Sequence, residues 1–551
     1  MSVRAEKKFL DIPIRLLLHD LTTSRFLILS FFLSMAVSAF VLSSNPSFLA
    51  SGDVSAYSSL GKEIVRNGFL IPSINTIHYP GSIWVYPPVV PYIFSIIVLF
   101  AGTGTSAYLS FSILGMILFS ITAIPVYYVV RSLFSEESAR FSSLLYAFYP
   151  PSLYTITWGG YPQLLGYFIM GWVLYFLIQF TRGNGNTARY VIIEGILLGI
   201  LTLSHDLSSI LVDSIFVVLI IYFIVRRIGY GSSEMRNLLF ASGSFLLGSV
   251  ATVIWYLPRL WWVIDSAFPS SSPVYLKYAT SPSGPHSILS SIGADLSSLS
   301  QALNGLSVNL AILGVTLILV PIAILYLWKT RHSGEKFNMI QFFILIPLLV
   351  TLLEVNDNVL FARLSYFVAF FAFPVISYLA FSIISGKNSL FHSTGRDRYY
   401  LLNRLFSVLI FAVVMLNAVV AVGFSYDAHS YYSEGNIGNS GVVSMGNFFL
   451  TNTSHNETVA APGNIGFFIS AYAGNPVISY ESYNYLTQPV EWEESHAAFV
   501  LIYQSYGNST AVNRYVTEYN VSYVVIPSGI GLVNAGYSMV FNSSIYNVYL
   551  V

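Results

Sequence analysis

Asp53 stands just after a long apolar run, in the sequence SGDVSAYSSLGKEIVRNGFLIP that begins at Ser51. Asp53 and Tyr57 are four residues apart, so on a helix they share one face, with Val54, Leu60, Ile64 and Val65 forming an apolar stripe beside them. Such a helix lies along a bilayer surface and holds a carboxylate where water meets lipid. A half-desolvated carboxylate there has a raised pKa and is suited to take a proton from an acceptor hydroxyl. The plainer account is an acid in the first turn of a helix, favoured by the macrodipole.

The other polar residues near apolar runs each carry two readings. His205 and Asp206, in LTLSHDLSS, either cap the next helix, bind a metal, or meet a phosphate through a protonated His205. Arg363 follows Glu354 and Asp357. It either snorkels and pairs with those acids or grips a lipid phosphate with its planar fork. Arg259 in LPRLWW is a second phosphate candidate, and its neighbours Trp261 and Trp262 read as an interfacial belt. His78 and Tyr79, and Tyr161 and Gln163 in WGGYPQ, can line a polar pocket; taken singly, each also reads as structural. A lone His-Asp pair is a thin metal signal, so the sequence requires no cofactor and leaves a divalent ion open.

These residues need a membrane to hold them. The chain has 551 residues, 55% hydrophobic and 9% charged, with no cysteine and a mean hydropathy of +0.67. Only a polytopic α-helical membrane protein solvates such a surface. The formal net charge of zero points away from nucleic acid, and the absence of cysteine removes disulfides and thiolate chemistry. Residues 1–25 are expected to be a cytoplasmic tail and 26–425 the transmembrane domain, with a first outer loop at 43–105 and a long outer loop at 258–307.

The expected spans are Phe26–Leu42, Ser106–Val130, Phe141–Trp158, Leu164–Phe180, Tyr190–Leu203, Ser208–Val225, Leu238–Leu257, Val308–Trp328, Met339–Leu353, Leu364–Ile384 and Leu405–Phe424. Tyr86–Gly102, interrupted by Pro87, Pro88 and Pro91, is taken as an interfacial helix. Every loop then assigned to the cytoplasm, such as RSLFSEESAR and KTRHSGEK, holds at least two Lys or Arg. This satisfies the positive-inside rule for about eleven spans, with the N-terminus inside.

From residue 426 to 551 the composition turns to Asn, Ser, Gly and Tyr, as expected of a small extracytoplasmic α/β or α+β domain. ETVAAPG, NPVISYE, AAFVLIYQ, VSYVVIP and YNVYLV are read as strands, and STAVNRYVTEYN as a helix. The sequons at Asn452, Asn456, Asn508, Asn520 and Asn542 all fall on that outer side.

Asp53, WGGYPQ, His205–Asp206, Arg259 and Arg363 come from five stretches but share one predicted membrane face. A base, a phosphate clamp and a lipid-facing cavity fit transfer of a group from a lipid phosphate. Here the sequence resembles the GT-C superfamily of membrane glycosyltransferases. The resemblance rests on DVSAYSSLGKEIVRNGFLIP, the Tyr-Pro-Pro helix, and VYYVVRSLF followed by ARFSSLLYAFYPPSLY. It covers the layout of roughly 1–425.

The resemblance implies a polyprenyl-phosphate-linked sugar donor and a lipid, glycan or protein acceptor at the extracytoplasmic face. It makes Asp53 the catalytic acid of the first loop and puts Arg363 in the position of the basic residue that handles the donor phosphate. Two features depart from the oligosaccharyltransferase branch. Its WWDYG motif is missing, VEWEESHAA being the nearest stretch, and WGGYPQ has no carboxylate where that branch has its second acidic motif. An oligosaccharyltransferase-like enzyme is the alternative. A lipid or solute transporter is the rival from another class, and it should show internal repeats that this chain lacks.

Overall fold

The computed structural model describes residues 25–44, 52–84, 86–102, 104–181, 186–230, 235–259, 343–349, 358–384, 418–428, 440–480, 489–503, 509–528 and 537–551, with isolated positions between 408 and 416. The expected tail, most of the long outer loop and the expected span Val308–Trp328 lie outside these residues.

Chain order gives α1 (Arg25–Leu42), α2 (Gly52–Arg66), α3 (Val89–Ala101), α4 (Thr105–Ile121), α5 (Ala123–Leu133) and α6 (Glu136–Leu145). A 3-10 turn, Tyr146–Phe148, leads into α7 (Pro150–Thr157), α8 (Tyr161–Thr181), α9 (Thr187–Thr202), α10 (Asp206–Tyr230) and α11 (Met235–Tyr256). After it, α12 (Asn358–Ile384) is the last long helix described.

Among the described residues, six helices are long and apolar enough to cross a membrane: Arg25–Leu42, Thr105–Leu133, Tyr161–Thr181, Asp206–Ile228, Met235–Arg259 and Arg363–Ser382. Each coincides with an expected span, but the expected total of about eleven is not reached among the described residues. Phe141–Trp158, read as one span, is broken. Pro150 and Pro151 lack an N–H and push the preceding Tyr149 to an extended conformation (φ −73°, ψ 112°). Pro150 then opens α7 at its first position, where its missing donor costs nothing. Helix α9 has 16 residues, about 24 Å, short of the roughly 30 Å hydrocarbon thickness. Helix α3 has 13 residues, in keeping with the interfacial helix read from its prolines.

The C-terminal part contains α13 (Ser440–Asn452), β1 (Thr458–Pro462), α14 (Gly463–Tyr472), β2 (Val477–Tyr480), α15 (Pro489–Tyr503), α16 (Ser509–Glu518), β3 (Val521–Pro527), β4 (Ser538–Asn542) and β5 (Tyr546–Leu550). Five strands lie in the order β2-β1-β3-β5-β4, with β1 parallel to β2 and β3, and β5 antiparallel to β3 and β4. Alternation divides the strands between two cores. Val459, Ala461 and Val525 join the large core that runs down through the spans, and Ala460, Val524 and Ile526 pack on α15 and α16.

One strand expectation is corrected. AAFVLIYQ is not a strand; most of it ends α15. Its residues are apolar because the helix packs on β1, β2 and β3. Pro489 at the start and Glu491 in the first turn are helix-start signals that the strand reading passed over. Conversely β4 was not expected, because an exposed edge strand has no clear alternation of apolar residues.

Candidate active site

The first loop is built on α2. Asp53 occupies its first turn and Arg66 its last, each matching the helix dipole. Helix α2 lies directly on α3. A Cβ on Gly61 would stand 2.9 Å from the Ser95 backbone nitrogen, so only glycine permits this approach. Phe94 of α3 then contacts Tyr57 (ring centroids 5.9 Å apart) and Tyr161 (6.0 Å).

Asp53 is half-buried. Burial pushes its carboxyl up to about 6, and the Arg363 guanidinium acts the other way. Tyr57, on the same face, lies 5.3 Å from the Tyr86 ring and shares a hydrogen bond with it. Burial and then the Asp53 charge raise the Tyr57 phenol well above its ordinary range, so it stays protonated.

The opposing wall comes from α12. The Arg363 guanidinium sits over Trp158, 5.3 Å from the ring centroid. One and two turns below, Phe367 packs near His205 (6.2 Å) and Tyr167 (5.5 Å), and Phe370 stacks on Tyr167 (5.0 Å). Arg363 is therefore the charged top of an aromatic stripe that runs down into the spans.

His205 lies just before α10 and accepts the Ser208 backbone N–H at its Nδ1 (3.3 Å), with Ser208 Oγ 2.6 Å from the same nitrogen. Nδ1 is thus an acceptor, which assigns the proton to Nε2. Burial, followed by Arg363, lowers the His205 pKa to about 3. A neutral ring replaces the protonated one considered from the sequence. The approach of α8 to this turn depends on Gly166, where a Cβ would meet Ser208 Oγ at 2.5 Å. Asp206 accepts a hydrogen bond from Tyr256 of α11, and its charge reaches Tyr57 and Tyr86.

Asp53, Tyr57, His205, Asp206 and Arg363, which are remote in sequence, are thus brought to one mouth. Of the remaining expected residues, Arg259 stands at the edge of the mouth, its charge reaching Tyr256, and the others are placed elsewhere. Arg259 donates from Nε to the Trp84 carbonyl (2.7 Å) and from Nη1 to the Trp255 carbonyl (2.6 Å), and lies 3.8 Å from the centroid of the Trp255 ring. It ties α11 to the first loop. His78 leaves the mouth altogether. It stacks on Phe467 (3.7 Å), and its Nε2 lies 3.0 Å from Ser479 Oγ. Tyr161 and Gln163 are fully enclosed; Gln163 donates to Tyr167 (2.6 Å), and the Tyr161 hydroxyl has no partner among the described residues.

Sequence reasoning missed Tyr86, Trp158 and Tyr256 as members of the mouth. Trp158 opens the WGGYPQ motif, and Tyr86 precedes the proline pair, so both stood beside recognised signals. Among the described residues, no group of three or more His, Asp or Glu side chains is arranged to hold a metal ion. His205 and Asp206 turn to different partners.

A family model described as dolichyl-phosphate-mannose-protein mannosyltransferase matches residues 85–262, from the Tyr-Pro-Pro turn to just beyond Arg259. Among solved structures, the oligosaccharyltransferase AglB of Archaeoglobus fulgidus, in complex with an inhibitory peptide and a dolichol-phosphate, is similar with a TM-score of 0.60. It is 14% identical, over 92% of this chain and 70% of its own. The apo form of the Archaeoglobus fulgidus oligosaccharyltransferase gives a TM-score of 0.57 at 15% identity, with the same coverage. ArnT of Cupriavidus metallidurans, bound to undecaprenyl phosphate, gives a TM-score of 0.52 at 11% identity over 95% of this chain and 97% of its own. A comparison with curated proteins gives no match. The family match takes in Tyr86, Trp158, His205 and Asp206 of the mouth but neither Asp53 nor Arg363, and the chain shares its fold with these solved structures along nearly its whole length.

Proposed function

We propose that the protein is an inverting glycosyltransferase that moves a sugar from a polyprenyl-phosphate carrier to a lipid, glycan or protein acceptor at the extracytoplasmic membrane face. The observation that carries this reading is the convergence of Asp53 and Arg363 on one mouth, where burial raises the carboxyl to about 6 and the charge of the guanidinium on α12 acts on it through space. The carriers bound in the similar structures, dolichol-phosphate and undecaprenyl phosphate, support the choice of donor.

In this reading Asp53 takes the proton of the acceptor hydroxyl. That oxygen attacks the anomeric carbon as the bond from this carbon to the phosphate oxygen breaks. The polyprenyl phosphate leaves with its new charge against Arg363. A fixed guanidinium in a partly dry mouth stabilises that charge more than water would. Protonated Tyr57 is placed to donate a hydrogen bond beside the base. Neutral His205 offers its Nε2–H to an oxygen of the donor, and Arg259 holds the loop at the edge of the mouth with Nη2 left to meet the phosphate.

An oligosaccharyltransferase-like activity is the second reading, favoured by the higher TM-scores of the Archaeoglobus fulgidus structures. One experiment separates the two. Purified protein is incubated with polyprenyl monophosphate- and pyrophosphate-linked sugars, and the released carrier and the anomeric configuration of the product are identified. Release of carrier with inverted transfer to a hydroxyl supports the proposal, transfer to the asparagine of an added sequon peptide supports the second reading, and no release from any donor contradicts both.

A further inference from the structure

Helix α2 carries two stripes with the same spacing on opposite sides. Asp53, Tyr57, Leu60 and Ile64 follow one another at intervals of four, three and four residues, and so do Ser55, Ser59, Lys62 and Arg66. The first stripe serves the mouth and α3. The second leads to the C-terminal part of the chain. Ser55 Oγ is 2.8 Å from the hydroxyl of Tyr108 on α4, whose ring packs near Phe468 and Tyr472 of α14, and Ser470 donates to Ser59 Oγ (3.2 Å). Lys62 Nζ donates to the Tyr472 carbonyl (3.2 Å) and Arg66 Nη2 to the Gly474 carbonyl (2.7 Å).

Tyr472 is the last residue of α14, where helix carbonyls lack intrahelical partners and the dipole is negative. Two basic side chains from α2 therefore close over the end of α14, Lys62 on its last residue and Arg66 on the turn that follows. The contact is a committed one: Lys62 is 5% exposed, burial and then the Arg66 charge lower its pKa to about 7, and the amine donates to its carbonyl whether charged or neutral. A second tie runs parallel to it. Glu63 accepts the backbone N–H groups of Thr76 and Ile77. The adjoining loop extends the sheet, with Val477 donating to the Ile77 carbonyl (2.7 Å) and Tyr79 to the Val477 carbonyl (3.1 Å).

We propose that Lys62 and Arg66 are positioning residues, through which the C-terminal domain sets the pose of α2 and so of Asp53 at the opposite face. The inference rests on reading Asp53 as the base. A single 15-residue helix carries both stripes, so a shift of α14 moves the carboxylate without any contact between them. Misplacement by about 1 Å is enough to cost a hundredfold in rate.

The test compares wild type with Lys62→Met/Arg66→Gln. Turnover is expected to fall about tenfold or more with KM for the lipid donor within about twofold. Amide exchange at residues 53–57 is expected to quicken roughly tenfold while exchange in β3 is unchanged. If the pair does not fold, Arg66→Gln alone carries the same prediction with a smaller change.

The chain has no cysteine, so Ser59→Cys/Ser470→Cys introduces a single disulfide where two hydroxyls already meet. Its oxidation in the double-variant background is expected to restore both turnover and protection at 53–57, and reduction to remove them. Unchanged exchange at 53–57 in the double variant, or a closed disulfide that restores nothing, overturns the inference. If wild type releases no carrier from any donor, the glycosyltransferase reading falls, and the exchange experiment still decides whether the C-terminal domain positions α2.

Discussion

The Arg363 guanidinium draws the Asp53 carboxyl down against the larger rise that burial imposes, so a charge on α12 tunes an acid on α2 across the mouth. The two residues lie far apart in sequence, and neither helix alone produces the effect. The resulting value of about 6 suits a base that must be ionised near neutral pH and still accept a proton.

A pH–rate profile follows from that balance. The base works deprotonated, so kcat/KM should fall about tenfold per unit below a limb near pH 6. Removing the guanidinium removes the influence that lowers the Asp53 pKa. In Arg363→Gln the limb should therefore move to higher pH, and turnover should also drop as the leaving phosphate loses its partner. A limb that stays in place in the variant would contradict the influence of Arg363 on Asp53.

The contact between α2 and α3 makes a stability prediction. A Cβ at Gly61 meets the Ser95 nitrogen at 2.9 Å, and backbone cannot swing aside as a side chain does. Gly61→Ala should cost about 1–3 kcal/mol by overpacking, against a gain of under about 1 kcal/mol from the better helix former. Thermal unfolding in detergent checks it, and an unchanged or raised midpoint would show that the helices do not touch in this way.

The attachment of the first loop to β2 should weaken in acid because of His78. Burial lowers its pKa to about 3, below the ordinary 6.5, so its contribution is complete above 6.5 and is lost as pH falls towards 3. Glu63, raised to about 7 by burial ahead of the lowering effect of its backbone hydrogen bonds, has the opposite sign. Its contribution is complete below its ordinary 4.5 and is lost as pH rises through 7. Exchange of the Tyr79 and Val477 amides reads both effects. In His78→Gln the loss of protection towards pH 3 should shrink, leaving Glu63 and, with the opposite sign, Lys62, which burial lowers to about 7. Identical pH dependence in the variant and wild type would rule out a role for His78.

Most of the membrane part was legible because long apolar runs identify themselves, and each of the six spans from Arg25–Leu42 to Arg363–Ser382 coincides with such a run. Phe141–Trp158 misled because hydropathy does not register that Pro150 interrupts backbone hydrogen bonding. AAFVLIYQ misled because a run buried against a sheet looks alike in strand and helix. At the mouth, Asp53 and Arg363 were legible as charges at span ends. The fate of Arg259 and His78 was not, since carbonyl partners such as Trp84 and ring partners such as Phe467 are fixed only by tertiary packing. The closing of Lys62 and Arg66 over the end of α14 was hidden for the same reason, although the repeated spacing of the second stripe stood in the sequence.

The most direct measurement is release of polyprenyl phosphate from a panel of lipid-linked sugars by wild type and Asp53→Asn, both in detergent and equally folded. Loss of a general base should lower turnover by about a hundredfold or more, with donor binding retained. Equal release by the two proteins would contradict the assignment of Asp53 as the base.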